Sequence, residues 1–283
     1  MKPGAIAFGL LLAACSSAPS DDLSDGVCEL PRELREVSAI AARPDGRLAC
    51  VQDELGAIFT FDPAGKQPTS REVFGERGDY EALAVVGDVF YVLRSDGWVA
   101  RVQRVDGVLR VAASVFLPGG HKEWEALCHD AGGRRLLAMP KIVGGDRKSE
   151  RELRPIYAID PVAMVALAEP VGAWNRRSLV DQAAARGIAL PTRTTDKGKE
   201  RIVLELEVSD IACVPGTADM LLLSAADRVL LRVDFEGRLL GAVRLDAAAL
   251  PQPEGLTFLP DGRLVVASEG AGGAGRLVVV PAP

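Results

Sequence analysis

The sequence has few of the residues and motifs on which many catalytic and binding sites depend. Only two histidines occur among 283 residues, and aromatic residues make up 5% of the chain. No G-x-S-x-G, P-loop or H-E-x-x-H motif is present, and no two cysteines form a C-x-x-C pair. The sequence therefore gives no support for a serine hydrolase of that type, a P-loop nucleotide site, a zinc protease or a thiol-redox centre.

The chain also lacks an excess of positive charge. Its formal net charge is −6 and its pI is about 5.2, whereas binding to nucleic acid or to an anionic membrane surface needs clustered cations. We therefore expect no nucleic-acid partner. Apolar residues make up 48% and charged residues 25% of the chain, a balance typical of a globular domain with a buried core.

The first apolar run, residues 4–14, is too short to span a bilayer as a mature helix. It follows Met1-Lys2 and ends in Leu12-Ala13-Ala14-Cys15, as an export signal would. This end resembles the lipobox of bacterial lipoproteins, in which the cysteine accepts the lipid. An ordinary secretory signal cleaved near Ala18 is the alternative.

We expect residues 1–15 to be a lipoprotein signal with Cys15 as the lipidated residue. Residues 16–26, which are rich in Ser and Asp, are typical of a flexible tether. Ser16 rather than Asp follows the cysteine, which favours the outer membrane, facing the periplasm or the exterior. Residues 27–283 would then form one domain of the cell envelope, held by its lipid, which we expect to be monomeric.

Four further cysteines are widely spaced: Cys28, Cys50, Cys128 and Cys213. An exported chain can oxidise a pair of cysteines, and Cys28 with Cys50 is one pairing to consider. Three of the four lie in apolar, strand-like runs, where a free cysteine packs as a small hydrophobic residue. We therefore expect buried thiols.

A short pattern recurs through the body of the chain and decides the fold. Its copies are Ser38-Ala-Ile40, Glu81-Ala-Leu83, Glu125-Ala-Leu127, Ser209-Asp-Ile211 and Glu254-Gly-Leu256. Each copy is followed by a tight turn rich in Asp and Gly, and then by two or three further strand-like segments. Four antiparallel strands in a unit of roughly 43 residues are typical of a propeller blade.

The spacing of the copies bounds the number of blades. Successive copies are 43, 44, 84 and 45 residues apart, so the long gap holds either a sixth, eroded blade or insertions. A charged loop over 144–154 and a short capped helix from Ser178 to Gly187 favour insertions. The sequence thus predicts an all-β protein, a single β-propeller of five or six four-stranded blades.

The last unit stops after its third strand, which predicts how the ring closes. The segment 27–35 precedes the first unit and can supply the missing fourth strand. Pairing of the two chain ends would close the ring and remove an exposed sheet edge.

Acidic residues recur where a propeller gathers its blades. The first strand of each blade lines the central channel, so Glu81, Glu125 and Glu254 are expected to meet at one mouth. Carboxylates from separate loops suit Ca²⁺, which takes six to eight oxygen ligands. The candidate metal ligands are Glu81, Glu125, Glu254, Asp210, Asp53 and Glu269, and the candidate ligand-binding residues are Lys141, Asp96 and Asp227.

A structural role for these acids is the alternative, because such carboxylates often accept hydrogen bonds from backbone N–H groups of neighbouring inner strands. A cluster of carboxyl groups should also have raised pKa values, which could support general acid–base chemistry.

Other residues give a weaker indication of a functional site. His121 and His129 flank Glu123 and Glu125 but are more typical of packing or surface positions, and Trp124 is expected to pack between blades.

The chain resembles the SdiA-regulated family of bacterial propeller lipoproteins, which are similar to phytase-like and esterase-like propellers. The residues that carry the resemblance are Glu36-Val-Ser38-Ala-Ile-Ala41, Asp79-Tyr-Glu81-Ala-Leu-Ala84, Glu123-Trp-Glu125-Ala-Leu-Cys128, Ser209-Asp-Ile-Ala212, Gln252-Pro-Glu254-Gly-Leu256 and Ala267-Ser-Glu-Gly270. Where the family usually has Gly, this chain has Ala39, Ala82 and Ala126. The resemblance implies an envelope propeller with bound Ca²⁺, and it supplies no reaction.

Two functional hypotheses follow. The first is an envelope protein that binds a cation, a small ligand or a partner protein at the acidic mouth. The second is a Ca²⁺-dependent hydrolase of phosphoesters or lactones. A phytase-like enzyme should need a basic wall for polyphosphate, and only Lys141 and Arg94 approach the mouth, which counts against that substrate.

Overall fold

Five four-stranded blades, one of them with an added fifth strand, surround one axis in the computed structural model, which describes residues 26–63, 70–143, 152–194, 198 and 200–283. The expected signal, Cys15 and the tether up to residue 25 lie outside these residues. The described chain begins with strand β1 (Val27–Glu29) and a 3-10 turn over Arg32–Leu34. A β-propeller is confirmed, with five blades.

The blades follow one another along the chain. Blade 1 consists of β2 (Val37–Ala42), β3 (Leu48–Gln52), β4 (Ala57–Phe61) and β5 (Ser70–Val73). Blade 2 consists of β6 (Tyr80–Val86), β7 (Val89–Arg94), β8 (Trp98–Val105) and β9 (Val108–Phe116). Blade 3 consists of β10 (Lys122–Asp130), β11 (Arg135–Ile142), β12 (Leu153–Asp160) and β13 (Val165–Ala166), with β14 (Gly172–Asn175) also pairing with β12.

The long gap between motif copies holds insertions and no sixth blade in its described residues. After β14 come helix α1 (Arg176–Arg186) and a hairpin of β15 (Thr192–Thr194) and β16 (Glu200–Ile202). The helix begins earlier than expected, because Asn175 rather than Ser178 caps it: the Asn175 side chain accepts from the Ser178 backbone N–H. It ends at Gly187 as expected, with φ 67°. The charged loop lies mostly outside the described residues, and its last residues, Leu153 and Arg154, begin β12.

Blades 4 and 5 complete the ring. Blade 4 consists of β17 (Asp210–Cys213), β18 (Met220–Ser224), β19 (Val229–Val233) and β20 (Leu239–Arg244). Blade 5 consists of β21 (Gln252–Phe258), β22 (Leu264–Glu269), β23 (Arg276–Val280) and the N-terminal strand β1. Val27 lies opposite Val278 and Glu29 opposite Arg276 in an antiparallel pair, so the predicted closure by the N-terminal segment is confirmed.

The hydrophobic core is divided among the joints between blades. Strands β3, β4 and β18 are buried along their whole length, because each interior strand packs against a blade on both faces. Five apolar clusters result, each joining residues of two adjacent blades. Trp124, which is 2% exposed, packs with Leu93 of blade 2, as expected for a residue between blades.

The inner strands β2, β6, β10, β17 and β21 contact one another in sequence around the axis, and β21 also contacts β2. Close approach at that last joint requires a glycine. A methyl group on Gly255 would lie 2.9 Å from the backbone nitrogen of Ile40 in β2. In the described part of the chain, no helix is long and apolar enough to cross a membrane.

A disulfide joins Cys128 at the end of β10 to Cys213 at the end of β17, with the Cα atoms 5.8 Å apart. The expectation of buried thiols is confirmed for Cys28 and Cys50 and wrong for this pair. The pairing was not predicted because the two cysteines are 85 residues apart in the sequence. In the fold they occupy neighbouring inner strands.

We expect the double variant Cys128→Ser/Cys213→Ser to lose about 2–4 kcal/mol of unfolding free energy, because the bridge closes a long loop in the unfolded chain. Urea denaturation of the oxidised wild type and the variant measures the difference. The double variant Cys28→Ala/Cys50→Ala, which removes two thiols and no cross-link, is the control for loss of sulfur. Equal midpoints for the oxidised wild type and the Ser variant would contradict this role.

Candidate functional site: an acidic channel mouth

A β-bulge at the same place in four inner strands aims one residue of each toward the axis. In blade 2, Tyr80 pairs with Arg94 and Ala82 with Leu93, which leaves Glu81 as the extra residue. The bulged residues of blades 1, 3 and 5 are Ser38, Glu125 and Glu254. A bulge redirects a side chain and interrupts pairing, so three glutamates from three blades share one level of the channel.

These three glutamates repel one another. Burial, the charge of Glu125 and a hydrogen bond to Asp79 raise the pKa of Glu81 to about 9. Burial and the charge of Glu125 also raise the pKa of Glu254 to about 7, against the opposing effects of Lys141 and a hydrogen bond to Ser209. The site therefore gathers carboxyl groups that hold protons at neutral pH.

Lys141 is the cation within this cluster. Its Nζ lies 2.8 Å from Oε1 of Glu125, which is 8% exposed. Burial raises the pKa of Glu125 to about 7 although the hydrogen bond from Lys141 opposes the rise. Burial lowers the pKa of Lys141, but the hydrogen bond to Glu125 and the charges of Glu125, Glu254 and Glu123 outweigh it, so that pKa lies above its ordinary value.

Two of the expected loop acids lie at the rim of the same mouth. Burial raises the pKa of Glu269, and the charges of Asp53 and Glu36 add to the rise. Burial likewise raises the pKa of Asp53, together with the charges of Glu36 and Glu54. The Oδ1 atom of Asp53 is buried and has no hydrogen-bond partner within the described residues.

Asp210 has a structural arrangement of its own. One carboxylate oxygen accepts from the backbone N–H of Ile211 at 2.8 Å and the other from Leu256 at 2.7 Å, and the backbone of Leu127 also bonds to it. Asp210 occupies the position held by Ala39, Ala82, Ala126 and Gly255 in the other blades. It therefore links the inner strands of blades 3, 4 and 5, although burial raises its pKa.

Asp227 and Asp96 hold loops. Asp227 accepts from the backbone N–H groups of Glu205 and Leu206, at 3.0 and 2.8 Å, and from the Ser224 hydroxyl at 2.7 Å. Asp96 pairs with Arg94 at 2.6 Å and accepts from the Trp98 N–H. Their expected role in ligand binding stays a prediction, while these contacts assign them a structural one.

The expected calcium site stays a prediction. Within the described ranges, no group of three or more His, Cys, Asp or Glu side chains is placed so that it could hold a metal ion. Glu125 is already paired with Lys141, and both oxygens of Asp210 accept backbone N–H groups. His121 contacts the Tyr157 hydroxyl at 2.8 Å, and His129 lies toward the far end of the channel, so the two histidines do not form one cluster.

Sequence reasoning missed a second tier of acids. Asp79 bonds to Glu81, Glu123 acts on Glu125, and Glu36 acts on Asp53. Each stands two residues before the bulged position of its blade. Their recurrence two residues before the motif position in three copies was the signal that could have found them.

No protein-family model matches this chain, and no curated protein matches it. Among solved structures, the glutaminyl cyclase of Myxococcus xanthus is similar with a TM-score of 0.53 and 15% identity, over 90% of this chain and 97% of that one. An oxidoreductase from Thermus thermophilus, described as a glucose dehydrogenase, is similar with a TM-score of 0.54 and 14% identity, over 90% of this chain and 99% of that one. Such low identities show the fold alone, so the resemblance to the SdiA-regulated family stays a prediction.

The raised pKa of Glu81 predicts how the free energy of unfolding changes with pH. A carboxyl group with a folded-state pKa of about 9 retains its proton while the unfolded chain loses it above about pH 4.3, so the stability it supplies falls as pH rises toward 9. We expect Glu81→Gln, which keeps a hydrogen-bond donor for Asp79, to be more stable than wild type at pH 9 by more than about 1 kcal/mol.

Urea denaturation at pH 5, 7 and 9 measures this difference. Glu169→Gln is the matched control, because Glu169 is exposed between β13 and β14 and away from the mouth. A wild type and a Glu81→Gln variant with the same pH dependence would show that Glu81 ionises normally.

We also expect Asp210→Asn to lose about 2–4 kcal/mol of unfolding free energy, because an amide NH₂ would face a buried backbone N–H in place of a carboxylate oxygen. Chemical denaturation measures the loss. Asp88→Asn in the exposed β6–β7 turn makes the same chemical change and should cost less than about 0.5 kcal/mol. A similar cost at both positions would contradict the linking role of Asp210.

Proposed function

We propose that this protein is an exported propeller of the cell envelope that binds a small cationic ligand at its acidic mouth. One observation carries the proposal: the Lys141 ammonium is already held 2.8 Å from Glu125 among carboxyl groups that outnumber it. The ammonium of a ligand would meet the same kind of partners at Glu81 and Glu254. Ammonium–carboxylate hydrogen bonds are among the stronger polar contacts in proteins.

Burial favours a small ligand over a protein surface. Glu125 is 8% exposed, and burial is the largest cause of the raised pKa values of Glu81 and Glu254. Side chains placed this far inside a channel are reached by a narrow group, such as an amine. Binding would draw protons off these glutamates, because a nearby positive charge favours their ionised form.

The disulfide supports export. Disulfides persist in oxidising compartments such as the bacterial periplasm and are rare in the cytosol, and Cys128–Cys213 is one. Together with the lipobox-like sequence at Cys15, this supports a lipid-anchored protein of the outer membrane. Both the anchor and the location are part of the proposal.

A second candidate is an enzyme that uses these carboxyl groups as general acid and base. Glu125 and Glu254, with pKa values of about 7, can hold or accept a proton at neutral pH, which is what such catalysis needs. A lactone suits this mouth better than a phosphoester, because the carboxylates would repel the negative charges of a phosphoester and Lys141 would offset only part of that repulsion. The two compared proteins have enzyme names, but at 14–15% identity they lend only the fold.

Thermal melting of the mature protein tests the binding proposal. We expect 1,4-diaminobutane to raise the Tm at pH 8 and its neutral counterpart 1,4-butanediol to leave it unchanged, since ligands of the folded state stabilise it. Calcium chloride belongs in the same panel. Calorimetry should show affinity for the diamine falling at least about tenfold in Glu125→Gln and in Glu254→Gln, and remaining unchanged in Glu169→Gln.

Equal effects of the diamine and the diol, or an unaltered affinity in both glutamate variants, would overturn the binding proposal. A calcium-dependent shift alone would replace the amine by a metal. Turnover of a lactone that is lost in Glu125→Gln and Glu254→Gln would favour the enzyme.

Lys141 gives a prediction of opposite sign. Because its ammonium competes with the ligand for Glu125, Lys141→Met should tighten binding of 1,4-diaminobutane by about tenfold. Calorimetry at pH 8 measures the change, with Arg263→Met in the exposed β21–β22 turn as the control for loss of one positive charge. Weaker binding by Lys141→Met would show that the lysine helps to hold the ligand and does not compete with it.

A further inference from the structure

The far end of the central channel opens into a cavity of about 260 Å³. It is lined by the C-terminal halves of the five inner strands, whose residues Ile40, Leu83, Leu127, Ile211 and Leu256 border it while remaining buried between the blades. Cys128 and Cys213 are part of the same wall. This end of the channel therefore borders the disulfide.

A second cavity, of about 380 Å³, lies between blades 3 and 4 on the other side of the bridge. Leu137, Met220 and Phe235 form its apolar part, and Arg135, whose guanidinium lies 5.0 Å from the centre of the Phe235 ring, forms a polar edge. Cys213 lines both cavities. The bridge therefore separates two spaces, and its Cys213 end borders each of them.

The cysteines differ in burial. Cys128 is 6% exposed and Cys213 is partly exposed, whereas Cys28 and Cys50 are both 0% exposed. Burial also raises the pKa of Cys50 to about 12, which keeps that thiol unreactive at neutral pH. Reagents in solution can thus reach one end of the disulfide while the two buried thiols stay protected inside the folded protein.

We propose that Cys213 is a site of thiol–disulfide exchange, at which a small thiol compound attacks the Cys128–Cys213 bond in the folded propeller. The thiolate of the compound forms a bond to Sγ of Cys213, and the bond between the two cysteines breaks. Sγ of Cys128 leaves as a thiolate and takes up the proton that the attacking thiol released. One disulfide is replaced by another, so the step needs no separate oxidant or reductant.

The surroundings of the two sulfur atoms determine which of them is attacked and which space the attached group can occupy. Cys128 is buried within the apolar cluster between blades 3 and 4, whereas Cys213 is partly exposed at the edge of that cluster, so attack is easier at Cys213. A small group bonded to Cys213 has a cavity available on either side. The blades stay joined meanwhile by that same cluster, so exchange does not require unfolding.

Mass spectrometry of the folded wild-type protein tests the proposal. After brief treatment with 2-mercaptoethanol at pH 8 and alkylation with iodoacetamide, we expect mercaptoethanol on Cys213, carbamidomethyl on Cys128, and both Cys28 and Cys50 unmodified. Near-UV circular dichroism of the same sample should remain that of the folded protein. Cys28 and Cys50 serve as internal controls, since only unfolding exposes them.

Two outcomes would overturn the proposal: no modification of Cys128 and Cys213 before urea unfolds the protein, or modification of all four cysteines at one rate. Mercaptoethanol found mainly on Cys128 would contradict the assigned direction of attack. The single variants give a second measurement. Under native conditions, Cys213 in Cys128→Ser should react with a chromogenic disulfide at least about tenfold faster than Cys128 in Cys213→Ser.

Discussion

Five inner strands meet around one narrow axis. The backbone N–H and C=O groups on their inward edges have no further strand to pair with. Small residues at one level, such as Ala82 and Gly255, allow the approach, and at Gly255 a single methyl group would meet the backbone of β2. At that level in blade 4 the chain has Asp210 in their place, whose carboxylate accepts inward-facing N–H groups of three blades. The close approach of the five strands and the hydrogen bonding of their buried backbone groups therefore both depend on the residues at this one level of the channel.

The level above carries the chemistry. Because a bulge occurs at the motif position in blades 2, 3 and 5, three glutamates turn toward the axis together. Burial holds the pKa values of all three above the ordinary range, the charge of Glu125 adds to the rise at Glu81 and Glu254, and Lys141 opposes the rise at Glu125. The mouth stores protons that a bound cation would release. This gathering of acids with raised pKa values supports the proposed binding site, because perturbed pKa values cluster at functional sites.

Most of the architecture was predictable from the sequence, because a propeller repeats one local pattern. The strands of blade 2 fall where the alternation and turns predict, and the incomplete last unit predicted the pairing of Val27 with Val278. The level of Glu81, Glu125 and Glu254 followed from the same repeat. What the repeat could not supply were contacts across blades that depend on side-chain direction: the Cys128–Cys213 bridge, the backbone bonds of Asp210, and the pairing of Lys141 with Glu125. The helix starts earlier than expected because Asn175 accepts the Ser178 N–H and so caps the helix three residues before the expected cap.

The central claim is that the three glutamates share one desolvated mouth, and carboxyl-carbon NMR titration of the folded protein tests it most directly. With single Glu→Gln variants to assign the resonances, the account predicts that Glu125 and Glu254 titrate near neutral pH and Glu81 above it, and that Glu125→Gln lowers the pKa of both Glu81 and Glu254. Three glutamates that titrate independently between about pH 4 and 5, as exposed carboxyl groups do, would contradict it.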